Sequence, residues 1–152
     1  MTIDQYGDVL LVQTFGEPLR WEQWQALNEW STELWGESPQ PFYNHRGKGR
    51  LSEEFAWEMP RDSWFQEGGL EYLFAIRKPG VDPSLFLDFR TTRQWIRENS
   101  EGCSMLNLFS YTCGIGLCAA AGGAREIWNV DFAEFPLEIG RQNAERNGLM
   151  HD

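Results

Sequence analysis

The residues best suited to chemistry lie in one stretch and comprise hydroxyls, glycines and a single carboxylate. The polar group Ser-Tyr-Thr at residues 110–112 stands shortly before Gly114 and Gly116, and Asp131 follows the next apolar run. Glycines let a backbone approach a ligand closely, and an acid at the tip of a strand accepts hydrogen bonds from both hydroxyls of a ribose. The stretch is therefore typical of a site for an adenosine-containing cofactor.

Two kinds of adenosine cofactor fit this stretch, and the loop before the glycines helps to separate them. Residues 114–119 satisfy the dinucleotide pattern G-x-G-x-x-G/A, which is a weak match on its own. Residues 110–113 intervene between the apolar run and the first glycine, and they include no arginine or lysine to meet a phosphate. Such a loop suits the aminoacyl end of S-adenosylmethionine, which carries no phosphate. The alternatives are a dinucleotide site and an ordinary strand–turn–helix connection without a ligand.

The elements that must position these residues follow from the hydrophobic pattern. Residues 105–109 and 127–130 are short apolar runs that predict two strands, and the small residues at 117–121 predict a helix between them. A last helix is expected over residues 132–147, where an early proline and a final Asn-Gly pair fit the two ends. The pattern predicts a strand–loop–helix–strand unit with Asp131 at the tip of the second strand.

The preceding residues predict further elements. We expect a strand within residues 6–15, a helix over 19–34, an irregular segment over 52–69, a strand over 70–76, an extended segment over 84–88 and a helix over 91–99. In the helix over 91–99, Trp95 and Ile96 are expected to face inward.

Two patterns in the N-terminal half each admit two interpretations. Apolar residues recur at helical spacing, which favours a core-facing stripe over a base-stacking platform. The members of this stripe are Trp21, Trp24, Leu27, Trp30 and Leu34. Basic residues are densest over 42–51, which favours a solvated hairpin loop over a phosphate-binding turn. The members of this cluster are His45, Arg46, Lys48 and Arg50.

Three segments together resemble one family. Residues 107–112 (N-L-F-S-Y-T) and the Gly-rich turn after them resemble the N-x-F-x-Y-T-G-G motif of class I S-adenosylmethionine-dependent methyltransferases, especially the ribosomal RNA cytosine-5 group. Residues 83–93 resemble that group's G-x-F-L-D-Q-R-x-N-R segment. Residues 130–131 with 143–149 resemble its V-D…N-x-x-x-N-G-L pattern. The likeness runs from about residue 72 to residue 149 and so covers roughly half of the chain.

The resemblance implies S-adenosylmethionine as the cofactor and methylation of RNA by the complete enzyme. Carried over position by position, the cofactor-binding residues are Arg90, Asn107, Phe109, Ser110, Tyr111, Thr112, Gly114, Gly116, Asp131 and Phe132. Asp131 is the expected ribose acceptor, with a capping acid for the next helix as the alternative. Asn107 is either a ligand or a buried amide satisfied by backbone. The chain departs from the family at Cys113, usually glycine, and at Phe89, usually glutamine; a positive φ is easy for glycine and costly for cysteine.

The resemblance also implies the fold class, an α/β chain with an incomplete Rossmann-like sheet. We expect an N-terminal α+β module over residues 1–80 and the start of an S-adenosylmethionine-binding domain over 81–152. The family's Asp/Asn-Pro-Pro element and its nucleophile have no counterpart here, so no catalytic residue is predicted and the chain alone is expected to be inactive. A second copy or a partner chain is expected to complete the sheet, because exposed apolar edges favour association.

Composition limits the partners and the compartment. The chain has 13 basic and 23 acidic residues and a net charge of −10, which argues against a direct grip on an RNA phosphate backbone. Three cysteines without a C-x-x-C predict neither a disulfide framework nor a metal site, and they indicate a reducing cytoplasm. Cys113 and Cys118 are expected to be small semi-buried thiols rather than nucleophiles. No apolar run reaches membrane-spanning length. The alternative functions are a dinucleotide-binding oxidoreductase fragment and a non-catalytic module that docks onto a protein.

Overall fold

The computed structural model describes residues 1–36, 39–49, 55 and 62–149. The strands are β1 Thr2–Tyr6, β2 Val9–Thr14, β3 Gln40–His45, β4 Ser63–Glu67, β5 Leu70–Phe74, β6 Ser104–Leu108 and β7 Glu126–Val130. The helices are α1 Trp21–Trp35, α2 Arg90–Glu98, α3 Gly114–Ala121 and α4 Glu134–Arg146, and a 3₁₀ turn, Leu87–Phe89, directly precedes α2. Backbone contacts divide the chain into two compact units, Met1–Phe65 with Phe74–Pro83 and Gln66–Leu73 with Ser84–Asp152. The domain boundary between residues 80 and 81 stays a prediction.

The first unit is built on a three-stranded sheet in the order β1-β2-β3. β1 and β2 are antiparallel, with Tyr6 opposite Val9, and Gly7 takes a positive φ of 57° in the tight turn between them. β3 runs parallel to β2, and α1 makes the connection and packs on β3. Every residue of β2 is buried, as expected for the central strand of a small sheet.

The apolar stripe of α1 faces the core only in part. Its first three members are half-buried, and the Trp24 ring lies 5.7 Å from the Tyr43 ring of β3. Trp30 and Leu34 are instead 43% and 57% exposed. The core-facing prediction is therefore wrong for the C-terminal half of the helix, because the ring contacts that bury the stripe are made by its N-terminal half.

The segment that carries the basic cluster begins within β3, so the prediction of a hairpin loop is wrong for residues 42–45. His45 ends β3, and its Nδ1 lies 2.8 Å from Thr14 Oγ1. Arg46 pairs with Asp82 at 2.5 Å and lies over the Phe15 ring. Arg50 and residue 51 lie outside the described residues. Arg46 is thus engaged within the first unit, which does not favour the phosphate-binding interpretation.

The second unit contains a parallel pair of strands with one open face. β6 and β7 run in step, with Leu106 opposite Trp128 and Leu108 opposite Val130, and α3 connects the two strands and packs against both. These four apolar side chains occupy alternate positions and therefore share one face of the sheet. They are between 45% and 63% exposed. Parallel sheets are usually covered on both faces, and none of the described residues covers this one.

The hairpin of β4 and β5 is anchored to α4 by two asparagines. Asn143 Oδ1 accepts the Leu73 N–H at 2.8 Å. Asn147 Oδ1 accepts the Glu71 N–H at 2.9 Å, and Asn147 Nδ2 donates to the Glu71 carbonyl at 2.7 Å. The asparagines lie one helical turn apart, and residues 71 and 73 face the same edge of the strand. The N-x-x-x-N pattern is therefore structural, because its amides stand in for a neighbouring strand.

Two predictions upstream of β6 are wrong. Residues 63–67 form β4, although they fall in the segment predicted to be irregular; most of that segment lies outside the described residues. In α2, Trp95 is 61% exposed, whereas Arg93 is the buried residue of the helix. An apolar pattern cannot anticipate a buried arginine that has an ionic partner. In the part of the chain that the structure describes, no helix combines the length and hydropathy of a membrane span.

Candidate cofactor site

The loop 109–113 joins β6 to α3 and has an unusual backbone. φ is positive at three residues that are not glycine, Phe109 at 54°, Tyr111 at 49° and Cys113 at 59°. This conformation costs an L-residue roughly 1–2 kcal/mol, and such strain is concentrated at ligand sites and switches. Positive and negative φ values alternate along the loop, an arrangement that makes the backbone concave.

Asp131 closes this loop against the tip of β7. The Tyr111 N–H donates to Asp131 Oδ2, and the Ala133 N–H donates to Oδ1, both at 2.9 Å. The bond from Ala133, followed by those from Tyr111 and Phe132, lowers the pKa of Asp131 below its ordinary value. An ionised carboxylate has about four acceptor positions, so Asp131 keeps capacity for a further hydrogen bond from a hydroxyl. Its bond to Ala133 reaches the N-cap residue of α4.

Ser110 and Thr112 brace the loop from inside. The Ser110 N–H donates to the Val130 carbonyl at 3.1 Å and continues the ladder between β6 and β7 by one step. Both side chains are buried. Thr112 Oγ1 donates to the Ser84 carbonyl. These two residues therefore fix the shape of the loop.

The two predicted glycines permit close packing of α3. A Cβ at Gly114 would lie 2.7 Å from Leu85 Cδ1, and a Cβ at Gly116 would lie 2.2 Å from Asn129 Oδ1. Asn129 Oδ1 also accepts a hydrogen bond from Asn107 Nδ2 at 2.9 Å across the two strands. Asn107 is thus half-buried and paired with a side chain rather than with backbone.

The remaining predicted residues lie at the rim. Phe109 and Phe132 follow the ends of β6 and β7 and are 82% and 89% exposed, and neighbouring exposed aromatic side chains are typical of a surface that meets a ligand or partner. Arg90 Nε donates to Glu67 Oε2 at 2.6 Å, so its guanidinium is engaged by the hairpin. Sequence reasoning missed Glu67, because the residue lies in the segment predicted to be irregular.

The thiols beside the loop are placed as small buried groups, as predicted. Cys113 and Cys118 are both buried, and burial is the main cause that raises the pKa of each thiol. The Tyr72 hydroxyl lies 3.3 Å from Cys118 Sγ. A protonated thiol is a poor nucleophile, so neither cysteine suits attack on a base. The described residues contain no group of three or more side chains that could hold a metal ion.

Together these features form a candidate cofactor site at the carboxyl edge of a Rossmann-like sheet. An ionised carboxylate lies at the tip of β7, and a loop with alternating φ signs lies beside it. Among the described residues no side chain caps α3, so the N–H groups of its first turn can receive an anionic group. The arrangement fits a cofactor that combines a ribose with a carboxylate-bearing tail.

The sequence comparison assigns this chain to a family. Residues 1–152 match the family described as S-adenosylmethionine-dependent methyltransferase. The chain therefore belongs to that family, and the cofactor of the family is the one predicted, S-adenosylmethionine.

Several ribosomal RNA methyltransferases are similar to this chain. Ribosomal RNA large subunit methyltransferase I of Aeromonas hydrophila is 35% identical over 156 residues, which cover 98% of this chain and 39% of the relative. Ribosomal RNA large subunit methyltransferase K/L of Psychrobacter arcticus is 31% identical over 160 residues, which cover 98% of this chain and 21% of the relative. The chain thus spans well under half the length of these relatives.

Solved structures share the fold. The crystal structure of SMU.776, described as a methyltransferase and complexed with SAH, has a TM-score of 0.79 and 25% identity, covering 97% of this chain and 38% of the other. The tRNA m1G37 methyltransferase of M. jannaschii has a TM-score of 0.71 and 18% identity. The match covers 99% of this chain and 46% of the other. These likenesses confirm the predicted α/β, Rossmann-like fold class.

Proposed function

We propose that this chain holds S-adenosylmethionine at the loop 109–113 and is the cofactor-binding part of an enzyme that methylates ribosomal RNA. The observation that carries the proposal is the bond from the Tyr111 N–H to Asp131, because it joins a strained, concave loop to an ionised carboxylate at a strand tip. When bound, S-adenosylmethionine supplies an activated methyl group on its sulfonium.

Each element of the site has a separate role in this proposal. Asp131 accepts hydrogen bonding from the ribose with the acceptor capacity that its backbone donors leave available. The N–H groups at the start of α3 receive the carboxylate of the amino acid tail. Phe109 and Phe132 offer apolar surface to the adenine ring, which would explain why two phenylalanines lie exposed there.

RNA as the substrate is supported by the names of the relatives, each a ribosomal RNA large subunit methyltransferase. A net charge of −10 assigns the grip on the phosphate backbone to another part of the complete enzyme. Catalysis is likewise assigned to another part of the complete enzyme. The proposal also places the enzyme in the cytoplasm.

The finer proposal, taken from the loop motif, is that carbon 5 of a cytosine is methylated. That reaction needs a thiolate to attack the base, and Cys113 and Cys118 are buried. Cys103 precedes β6, at the opposite end of that strand from the loop. The complete enzyme must therefore supply the nucleophile from another segment. Mass spectrometry of nucleosides from RNA treated with the complete enzyme tests this, and a product other than 5-methylcytosine would overturn it.

A thermal-shift titration tests the choice of cofactor. S-adenosylmethionine and S-adenosylhomocysteine should raise the melting temperature, since a ligand at a hundredfold excess over its Kd stabilises by about 2.7 kcal/mol. NAD should have no effect; stabilisation by NAD alone would favour the oxidoreductase alternative. Asp131→Ala should abolish the shift. Glu126→Ala, which removes an acid from the other end of β7, is the matched control and should retain it.

The open face of β6 and β7 supports the proposed association with a second copy or a partner chain. A row of exposed apolar side chains is costly in water and is typical of an interface. Light scattering on the purified chain should detect a dimer if a second copy covers this face, and Trp128→Lys should convert it to a monomer. A compact wild-type monomer that unfolds cooperatively would overturn the association.

A further inference from the structure

We propose that Arg93 is a positioning residue for the loop 109–113, acting through residues 84–86, here called the strap. This inference rests on the proposed function and adds to it a residue that does not itself touch the cofactor. Arg93 lies in α2 and is 3% exposed, which is rare for an arginine.

The guanidinium of Arg93 joins two different segments. Its Nε donates to Glu67 Oε1 at 2.7 Å, and the side chain of Glu67 is only 11% exposed. Its Nη2 also donates to Glu67 Oε1, and its Nη1 donates to the Phe86 carbonyl at 2.7 Å. The planar fork of arginine can bind a carboxylate and a carbonyl at once, which the single ammonium of lysine cannot do from one position. Arg93 therefore ties the strap to the tip of the β4–β5 hairpin.

The three successive residues of the strap each contact the loop or the first residue of α3. The Ser84 carbonyl accepts a hydrogen bond from the Thr112 hydroxyl. The Leu85 side chain occupies the space next to Gly114. The Phe86 ring lies 5.5 Å from the Tyr111 ring. The contacts thus run without a break from Glu67 through Arg93 and the strap to the residue whose N–H meets Asp131.

The loop needs such support because its backbone is strained. Three non-glycine residues hold a positive φ, and conformations of that kind persist only where the surroundings impose them. The second guanidinium at the hairpin offers a contrast. Arg146 of α4 pairs with Glu71 at 3.1 Å and is half-exposed. It anchors the same hairpin from α4 and serves as the matched control.

Amide hydrogen exchange on the chain without cofactor tests the proposal. In Arg93→Lys, exchange at the Tyr111 and Cys113 amides should accelerate by about tenfold to a hundredfold, the range for losing a hydrogen bond to a charged group. Amides inside β6 and β7 should keep their wild-type rates. Arg146→Lys should leave the loop unchanged. Glu67→Gln, which keeps the size of the side chain, is the second variant and should accelerate the same two amides if Arg93→Lys does not fold.

Unchanged exchange at Tyr111 and Cys113 would overturn the proposal, as would uniform acceleration throughout the unit, since that reports only a loss of stability. Binding of S-adenosylhomocysteine to Arg93→Lys should weaken by about tenfold or more, whereas Arg146→Lys should bind like the wild type. If the wild type itself does not bind, the proposed function fails, while the exchange result still decides the role of Arg93.

Discussion

The packing of Cys113 against Gly140 provides a quantitative test of the loop. Cys113 stands where the resembling family usually has glycine, and it is buried with φ at 59°. A Cβ added at Gly140 of α4 would lie 2.5 Å from the Sγ of Cys113 and 2.8 Å from the Cβ of Cys113. The next neighbour, the carbonyl carbon of Thr112, would be 3.2 Å away. The side chain at position 113 therefore decides whether position 140 tolerates a methyl group.

The magnitudes follow from these distances. Gly140→Ala alone gains about 1 kcal/mol of helix propensity but overpacks the site at a cost of about 1–3 kcal/mol. Cys113→Gly alone relieves about 1–2 kcal/mol of backbone strain and loses a small buried side chain, so it should be close to neutral. In the double variant the overlap with position 113 disappears and the helix gain remains. We expect a favourable coupling of about 1–3 kcal/mol between the two substitutions.

Urea unfolding of the wild type, both single variants and the double variant measures this coupling. The double variant should be clearly more stable than Gly140→Ala. Additivity within about 0.3–0.5 kcal/mol would show that the two residues do not touch. A strong loss of stability in Cys113→Gly would show that position 113 does not have a positive φ. Either result would refute the described loop.

The remaining predictions concern the thiols and the hairpin. At mild alkaline pH a thiol reagent should modify exposed Cys103 at once and should reach Cys113 and Cys118 only after unfolding. The reason is that burial raises the pKa of the Cys113 and Cys118 thiols. Equal reaction rates of the three thiols in the native protein would contradict their placement. Asn143→Ala leaves the buried Leu73 N–H without its acceptor, so urea unfolding should show a loss of about 1–3 kcal/mol. A loss below about 0.5 kcal/mol would mean that the asparagine does not substitute for a strand.

The sequence predicted the strand–loop–helix–strand unit of β6, α3 and β7 well because its signals are local. The apolar runs of β6 and β7, the glycines around α3 and the acid at the tip of β7 lie close together in the chain. Their periodicity and order are enough to predict a strand–loop–helix–strand unit. The bounds differ by only a few residues, and α3 begins at Gly114 rather than at Leu117.

The missed features depend on distant partners. Strands β1 and β4 are polar and short, and they are stabilised by pairing with β2 and β5 rather than by an alternating pattern of their own. Arg93 is buried because Glu67 meets it, and the two are far apart in sequence. The distal members of the α1 stripe, Trp30 and Leu34, carry helical periodicity and are nevertheless exposed. Periodicity identifies which residues share a face, and it does not reveal what covers that face.

The conformation of the loop lay beyond the sequence for a different reason. Only the departure at Cys113 hinted at a positive φ, whereas Phe109 and Tyr111 share that conformation without any sequence signal. Such conformations are imposed by contacts from the strap and from Asp131, which a single sequence does not display.

Calorimetric titration of the chain with S-adenosylhomocysteine tests the central claim most directly. The wild type should bind, and Asp131→Asn, which keeps the shape but removes the charge, should bind at least about tenfold more weakly, as expected for hydrogen bonds to a charged group. Glu126→Gln should match the wild type. If the wild type does not bind, or if Asp131→Asn binds as tightly as the wild type, the loop and Asp131 do not form the cofactor site.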